Sequence, residues 1–295
     1  VSLLFDRRTE LRLLTRGQEI NLTDYDMSFD VLATSKSEPN TAKITIYGLS
    51  ESQRKLFGPG LQAIEFRAGY KEALGTIFKG TWDPEKSYAT HIKTGPVWQT
   101  DIETGEGLKE VQVAFINRSY SAGTPLATVI MDISGLFGVP VLMEFTRPET
   151  LLFAATFTGR ASKVLDDLAW SFKFDWSIQH GSLFVTERGE PAAAAGVATI
   201  LSHSTGLIGD PVVTTDGIEC NTLMLSTMKP KGLIKIQDDS VPGKIEQLAI
   251  RAKNKKSNKL RSEISDSGIY VVDEIQYYGD NRGGDYGCKV KALFQ

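Results

Sequence analysis

Pro39-Asn40-Thr41-Ala42-Lys43-Ile44-Thr45-Ile46-Tyr47-Gly48-Leu49-Ser50 holds a turn, a strand and a break in sequence order. Pro39-Asn40 is a turn pair. Lys43 to Tyr47 alternates, which places Ile44 and Ile46 on one face of a strand. Gly48 ends that strand, and Ser50 with Gln53 has the spacing of a capping box. A short helix is predicted to follow as far as Phe57, stopped by Gly58-Pro59-Gly60. Upstream, Tyr25 to Ala33 puts Met27, Phe29, Val31 and Ala33 on one face. Downstream, Ile64, Phe66 and Ala68 line another strand. Gly69-Tyr70 closes it, and Thr76 to Gly80 begins the return. Further strands are predicted at Val97 to Glu103 and Val111 to Ile116. Short strands punctuated by Gly and Pro predict an antiparallel β-barrel or sandwich over residues 1–116. Phe29, Ile44, Ile46, Ile64 and Phe66 are predicted to form its core.

The period then changes. Thr124-Pro125 reads as an N-cap followed by Pro at the first helical position. Leu126, Val129, Ile130 and Ile133 follow with helical spacing, ending near Gly135 or Gly138. A second helix carries Ala161, Val164, Leu165, Leu168 and Phe172, with its cap expected near Ser162. Phe174, Trp176 and Ile178 alternate into a hairpin that turns at His180-Gly181 and returns through Leu183 to Thr186. Residues 117–190 thus read as a small α+β domain.

Pro191 to Gly196 has the composition of a linker, with a helix start after Pro191 as the alternative. Beyond it, strands are predicted at Thr222 to Ser226, Gly232 to Gln237, Ile269 to Tyr278 and Cys288 to Phe294. The polar stretch at about 238–267 is too long for a tight turn and is read as an extended loop or a hairpin arm. The segment 197–295 is predicted to be a second barrel. The fold class is therefore mainly β, and the strand-rich ends around an α+β centre suggest two related barrels.

The composition excludes several classes. A 295-residue chain with a net charge of -3 and 41% hydrophobic residues is that of an ordinary globular protein. No apolar run approaches the roughly 18 residues of a membrane-spanning helix. The opening Val1 to Phe5 lacks the basic region and apolar length of a signal peptide. A leading Val suggests that earlier residues were removed. Cys220 and Cys288 are too few and too far apart for a disulfide framework; reduced, half-buried thiols are expected, with one long-range bridge as the alternative.

No residue set marks a catalytic, cofactor or metal site. His91, His180 and His203 lack ligand spacing and are read as turn or surface residues. Ser202-His203-Ser204 has no nucleophile-elbow frame. Paired carboxylates for glycoside cleavage are the more serious alternative. However, Asp166 and Asp167 diverge by about 100° around a helix, and Asp238-Asp239, Glu144 and Asp175 sit in no recognisable frame. The clusters Gly105 to Gly107 and Arg282 to Gly287 lack the strand, helix and Lys-Ser/Thr of a phosphate loop. Arg251, Lys253, Lys255, Lys256, Lys259 and Arg261 form a basic run. It reads either as a solvated loop or as an arm that contacts an acidic partner surface or nucleic acid, and the lack of stacking aromatics weakens the case for single-stranded nucleic acid.

Two stretches resemble baseplate hub proteins of contractile-tailed phages. The first is Phe29-Asp30-Val31, Pro39 to Ser50, Ala68-Gly69-Tyr70 and Ile77-Phe78-Lys79-Gly80, with Gly48 where the family usually has Asn. The second is Gly268 to Ile275 with Gly279-Asp280-Asn281-Arg282-Gly283-Gly284-Asp285-Tyr286. The helix opening from Ser121 to Leu126 also fits. The resemblance implies a structural, non-enzymatic hub that needs no cofactor. It implies that each chain supplies two tube-like antiparallel β-barrel domains, so that a homotrimer presents six barrels joining the sixfold tail tube to the threefold central spike. The implied partners are the tube protein, the spike protein and other baseplate proteins, with no membrane and no specific nucleic acid. The implied location is the virion tail, assembled in the bacterial host cytoplasm. A tail-associated peptidoglycan hydrolase and a carbohydrate-binding module are the alternatives. The scattered Trp82, Trp98, Trp170 and Trp176 speak against the latter.

Overall fold

The computed structural model describes residues 5–107, 111, 113–144, 148–192, 198–237 and 268–294. The chain is mainly β with a mixed centre. It begins with a hairpin, β1 (Arg7–Thr15) and β2 (Gln18–Thr23), turned by Arg16 and Gly17 at φ 50° and 77°. Strands β3 (Asp26–Thr34) and β4 (Thr41–Tyr47) follow. The capping box at Ser50 is present and opens α1 (Glu51–Arg54), with a single 3-10 turn to Phe57. Next come β5 (Leu61–Tyr70), β6 (Ala73–Thr81), β7 (Tyr88–Thr94) and β8 (Val97–Gly105).

The centre contains β9 (Phe115–Tyr120), α2 (Leu126–Phe137), β10 (Val141–Glu144), β11 (Ala155–Arg160), α3 (Ala161–Phe172), β12 (Phe174–Gln179) and β13 (Ser182–Glu187). The last part supplies β14 (Thr199–Leu201), β15 (Leu207–Val213), β16 (Gly217–Leu223), β17 (Leu233–Ile236), β18 (Ile269–Asp280) and β19 (Tyr286–Phe294).

Strands from the N-terminal and C-terminal parts of the chain build one sheet. Its order is β15-β16-β19-β18-β3-β4-β8-β7, with β17 and β14 branching from β18. The seam is the antiparallel pair β3–β18, where Val31 faces Tyr277 and Phe29 faces Gly279. A second sheet, β2-β1-β5-β6, packs its inner face against the first. Among the described residues these sheets are open. One continuous core joins Leu11, Phe29, Ile44, Ile64 and Phe66 to Ile218, Ile275, Cys288 and Val290. All five predicted core residues are buried. The centre has a separate core, in which Val129, Ile133, Leu165 and Leu168 of the helices cover Phe174, Trp176 and Val185 of the small sheet β10-β13-β12.

Several local readings are corrected. Val111 and Val113 are helical, and the strand starts only at Phe115. Pro125 is itself the N-cap of α2, extended at ψ 135°, and Thr124 bonds back to Ser121 instead of capping. The cap of α3 is Arg160, and its end is the left-handed Lys173, where a Gly would be the usual signal. The strand expected at Thr222 to Ser226 is the end of β16, whose apolar face begins at Ile218. Both cysteines are free, and they are buried rather than half-buried. The polar stretch 238–267 and Ala193 to Gly196 of the linker lie outside the described residues.

Candidate functional site

The second quoted stretch forms a clasp. Asn281 accepts the N–H of Met27 at 2.9 Å and donates to Tyr25 O at 2.7 Å and Thr9 Oγ1 at 2.8 Å. Asp280 Oδ1 accepts the N–H groups of Arg282 and Gly283, which shapes the turn. Arg7 donates to the carbonyls of Asp280, Gly283 and Gly284, and its guanidinium lies 5.1 Å from the centre of the Tyr286 ring. Tyr286 reaches across to Gly69 of the first stretch. Gly69 sits at φ 155°, and a Cβ there would meet Ala73 O at 2.1 Å. The two stretches are thus one structural device that pins β19 and β3 to β1 and β5.

Asn40 belongs to a second joint. Its Oδ1 accepts the N–H of Thr34 at 2.8 Å, and its Nδ2 donates to Glu106 Oε2 at 2.7 Å. Glu106, only 1% exposed, also accepts the backbone N–H of Lys79 at 2.8 Å and of His180 at 3.2 Å. The β12–β13 hairpin tip is thereby fastened to the large sheet. His180 and Gly181 take φ 52° and 78°, the two positive values a tight two-residue turn needs. A third fastening is the ion pair of Lys231 Nζ with Asp175 Oδ2 at 2.7 Å, with Arg188 on the other oxygen at 3.2 Å. A cavity of about 400 Å³ lies beside these joints, lined by His180, Phe184, Met228, Lys229, Leu233 and Val272 among others.

The ends of the large sheet are exposed strands. On β7, Tyr88 and Ile92 face solvent; on β15, Ile208 and Val212 do. Pro211 and a register irregularity between Ile208 and Val212 interrupt the β15 pairing, a device that discourages indiscriminate strand addition.

The residues weighed as catalytic are engaged elsewhere. Asp166 accepts Trp176 Nε1 at 3.0 Å, and Asp167 pairs with Lys163 at 2.8 Å. Asp175 is held by Lys231 and Arg188. Ser202 bonds to Ser204 and Thr205 within a 3-10 turn. His91 bonds to Thr100 at 3.0 Å. Among the described residues no group of His, Cys, Asp and Glu is arranged to hold a metal ion. Arg251, Lys253, Lys255, Lys256, Lys259, Arg261, Asp238 and Asp239 lie outside the described residues. Glu106 and Lys231 escaped the sequence reading. Glu106 sat in a glycine-flanked turn, and nothing local marks it as buried.

No protein-family model matches the sequence, and no curated protein matches it. Solved structures do. The 43 kDa tail protein of prophage MuSo2 from Shewanella oneidensis superposes with a TM-score of 0.62 at 9% identity, over 97% of this chain and 98% of that one. The tail protein from Neisseria meningitidis MC58 gives 0.62 at 9% identity, over 97% and 96%. The Escherichia coli c3393 protein gives 0.61 at 11% identity, over 97% of this chain and 76% of that one. It is described as a component of the type VI secretion system with structural similarity to the T4 bacteriophage tail proteins gp27 and gp5. The chain therefore has a phage-tail-protein fold, shared with a type VI secretion component.

Proposed function

We propose that the chain is the structural baseplate hub of a phage tail, a trimeric adaptor joining the sixfold tail tube to the threefold central spike. The carrying observation is the end-to-end likeness to two phage tail proteins, which covers nearly all of this chain and of theirs. The likeness to a protein compared with gp27 and gp5 favours the hub position. The fold suits that role. The sheet built from the N-terminal and C-terminal parts leaves two terminal strands, β7 and β15, to be covered by neighbours. A ring joint between threefold and sixfold parts requires threefold symmetry. The partners are then further copies of this chain, the tube protein, the spike protein and other baseplate proteins. The location is the virion tail, after assembly in the host cytoplasm, and the role needs neither catalysis nor cofactor.

Native mass measurement on the protein assembled with tube and spike tests this reading. Three copies per assembly are expected; two or four would overturn it. Incubation with purified cell wall tests the absence of catalysis, and sustained muropeptide release would overturn it.

A further inference from the structure

Glu106 is a buried carboxyl with no cation in contact among the described residues. Its bonds come from neutral donors: Lys79 N, Asn40 Nδ2 and His180 N. His180 Nδ1 lies 3.7 Å from Glu106 Oε1. That nitrogen is buried and has no hydrogen-bond partner among the described residues. An unpartnered imidazole nitrogen and a carboxyl oxygen therefore face each other across the joint between hairpin and sheet.

We propose that Glu106 and His180 share one proton, which Glu106 carries and His180 Nδ1 accepts, so that the hairpin docks on the sheet as an uncharged pair. Closing the separation by about 1 Å would give an ordinary hydrogen bond. It would also satisfy the orphaned nitrogen, which is otherwise costly to bury.

The surrounding charges act on both groups. Lys229 and Lys79 act on His180 against its protonation, and Glu65 acts weakly for it. Lys229 also draws the Glu106 carboxyl down, a smaller effect than the burial that raises it, and the Tyr277 hydroxyl senses Glu106 from β18. Burial pushes the Glu106 carboxyl from its ordinary 4.5 up to about 7, against the pull of its three donors. Burial, then Lys229 and Lys79, draw the His180 imidazole from 6.5 down to about 4. Between pH 4.5 and 6.5 the unfolded chain thus carries the proton on the imidazole, and the folded chain carries it on the carboxyl. The number of bound protons is unchanged by folding, so the pair adds almost no pH dependence to stability in that window. The joint is buffered against acid by moving the proton from one residue to the other.

Single variants unmask the two halves with opposite sign. In Glu106→Gln only the depressed His180 remains, and the melting temperature should fall as pH drops from 6.5 to 4. In His180→Asn, which tolerates positive φ, only the raised Glu106 remains, and the melting temperature should rise as pH drops from 7 to 4.5. The double variant should lose both slopes. Slopes of the same sign in the two single variants would overturn the proposal. Infrared spectroscopy of the unaltered protein at about pH 5.5 provides a test that needs no variant to fold. A protonated-carboxyl carbonyl band should be present beside a neutral His180 imidazole seen by nitrogen NMR, and a charged imidazole there would overturn the proposal.

Discussion

The Tyr286 hydroxyl accepts the backbone N–H of Gly69 at 2.8 Å, joining residues 217 positions apart in the chain. The same oxygen lies 2.8 Å from Gly69 O and 2.9 Å from Arg8 O, to one of which it donates. The ring packs edge-on to Phe29 and Tyr70. Tyr286→Phe keeps that ring packing but strands a buried N–H. It should cost about 1–3 kcal/mol of unfolding free energy in urea. A loss near zero would mean that the hydroxyl contributes nothing to the clasp.

Phe66 is fully buried and stands at the centre of the main core, its ring 5.0 Å from that of Phe29. Phe66→Ala removes most of that ring volume and should destabilise by about 3–5 kcal/mol. Thermal melting of the purified variant checks it, and an unchanged curve would refute the core assignment.

Lys231 is buried at a left-handed backbone position and spends its charge on Asp175. Removing only the carboxylate leaves an ammonium without its partner. Asp175→Ala should therefore cost about 3 kcal/mol, more than Asp167→Ala, whose exposed pair with Lys163 is worth about 0–1 kcal/mol. Chemical denaturation of the two variants side by side decides the ranking.

The thiols of Cys220 and Cys288 are both pushed up to about 12 by burial. A thiolate is the reactive form, so neither should react with a thiol reagent at pH 8 while the protein is folded. Both should react after addition of denaturant. Rapid labelling of the native protein would contradict their burial.

Ile92 lies exposed on the terminal strand β7, paired with Gln99 on its inner side. If β7 is covered by a neighbouring copy, Ile92→Asp should leave the melting curve of the isolated chain unchanged and abolish trimer formation. Native mass measurement of the assembled state reads the outcome, and undiminished trimers would remove β7 from the interface.

The strands and the helices were legible because a two-residue or a 3.6-residue apolar period leaves its mark within ten residues of chain. Ile44 and Ile46, Phe66, and Leu165 with Leu168 all point where their spacing says. The helix caps at Pro125 and Arg160 were misread because neither end is closed by a side chain, so the local signal named a neighbour. The sequence by itself thus determined the two long helices, the strands with a clear apolar period such as β3, β4 and β5, the main core residues and the motifs that meet at Gly69 and Tyr286, while β1, β2, β7 and β15 carried no reading. Only the tertiary structure decided that β3, β4, β7 and β8 share one sheet with β15, β16, β18 and β19 through the β3–β18 pair. It alone brought Asn40, Glu106 and His180 together. The reason is physical. Strand pairing and the burial of a charged group depend on contacts between distant segments, and no local period records which partner will arrive.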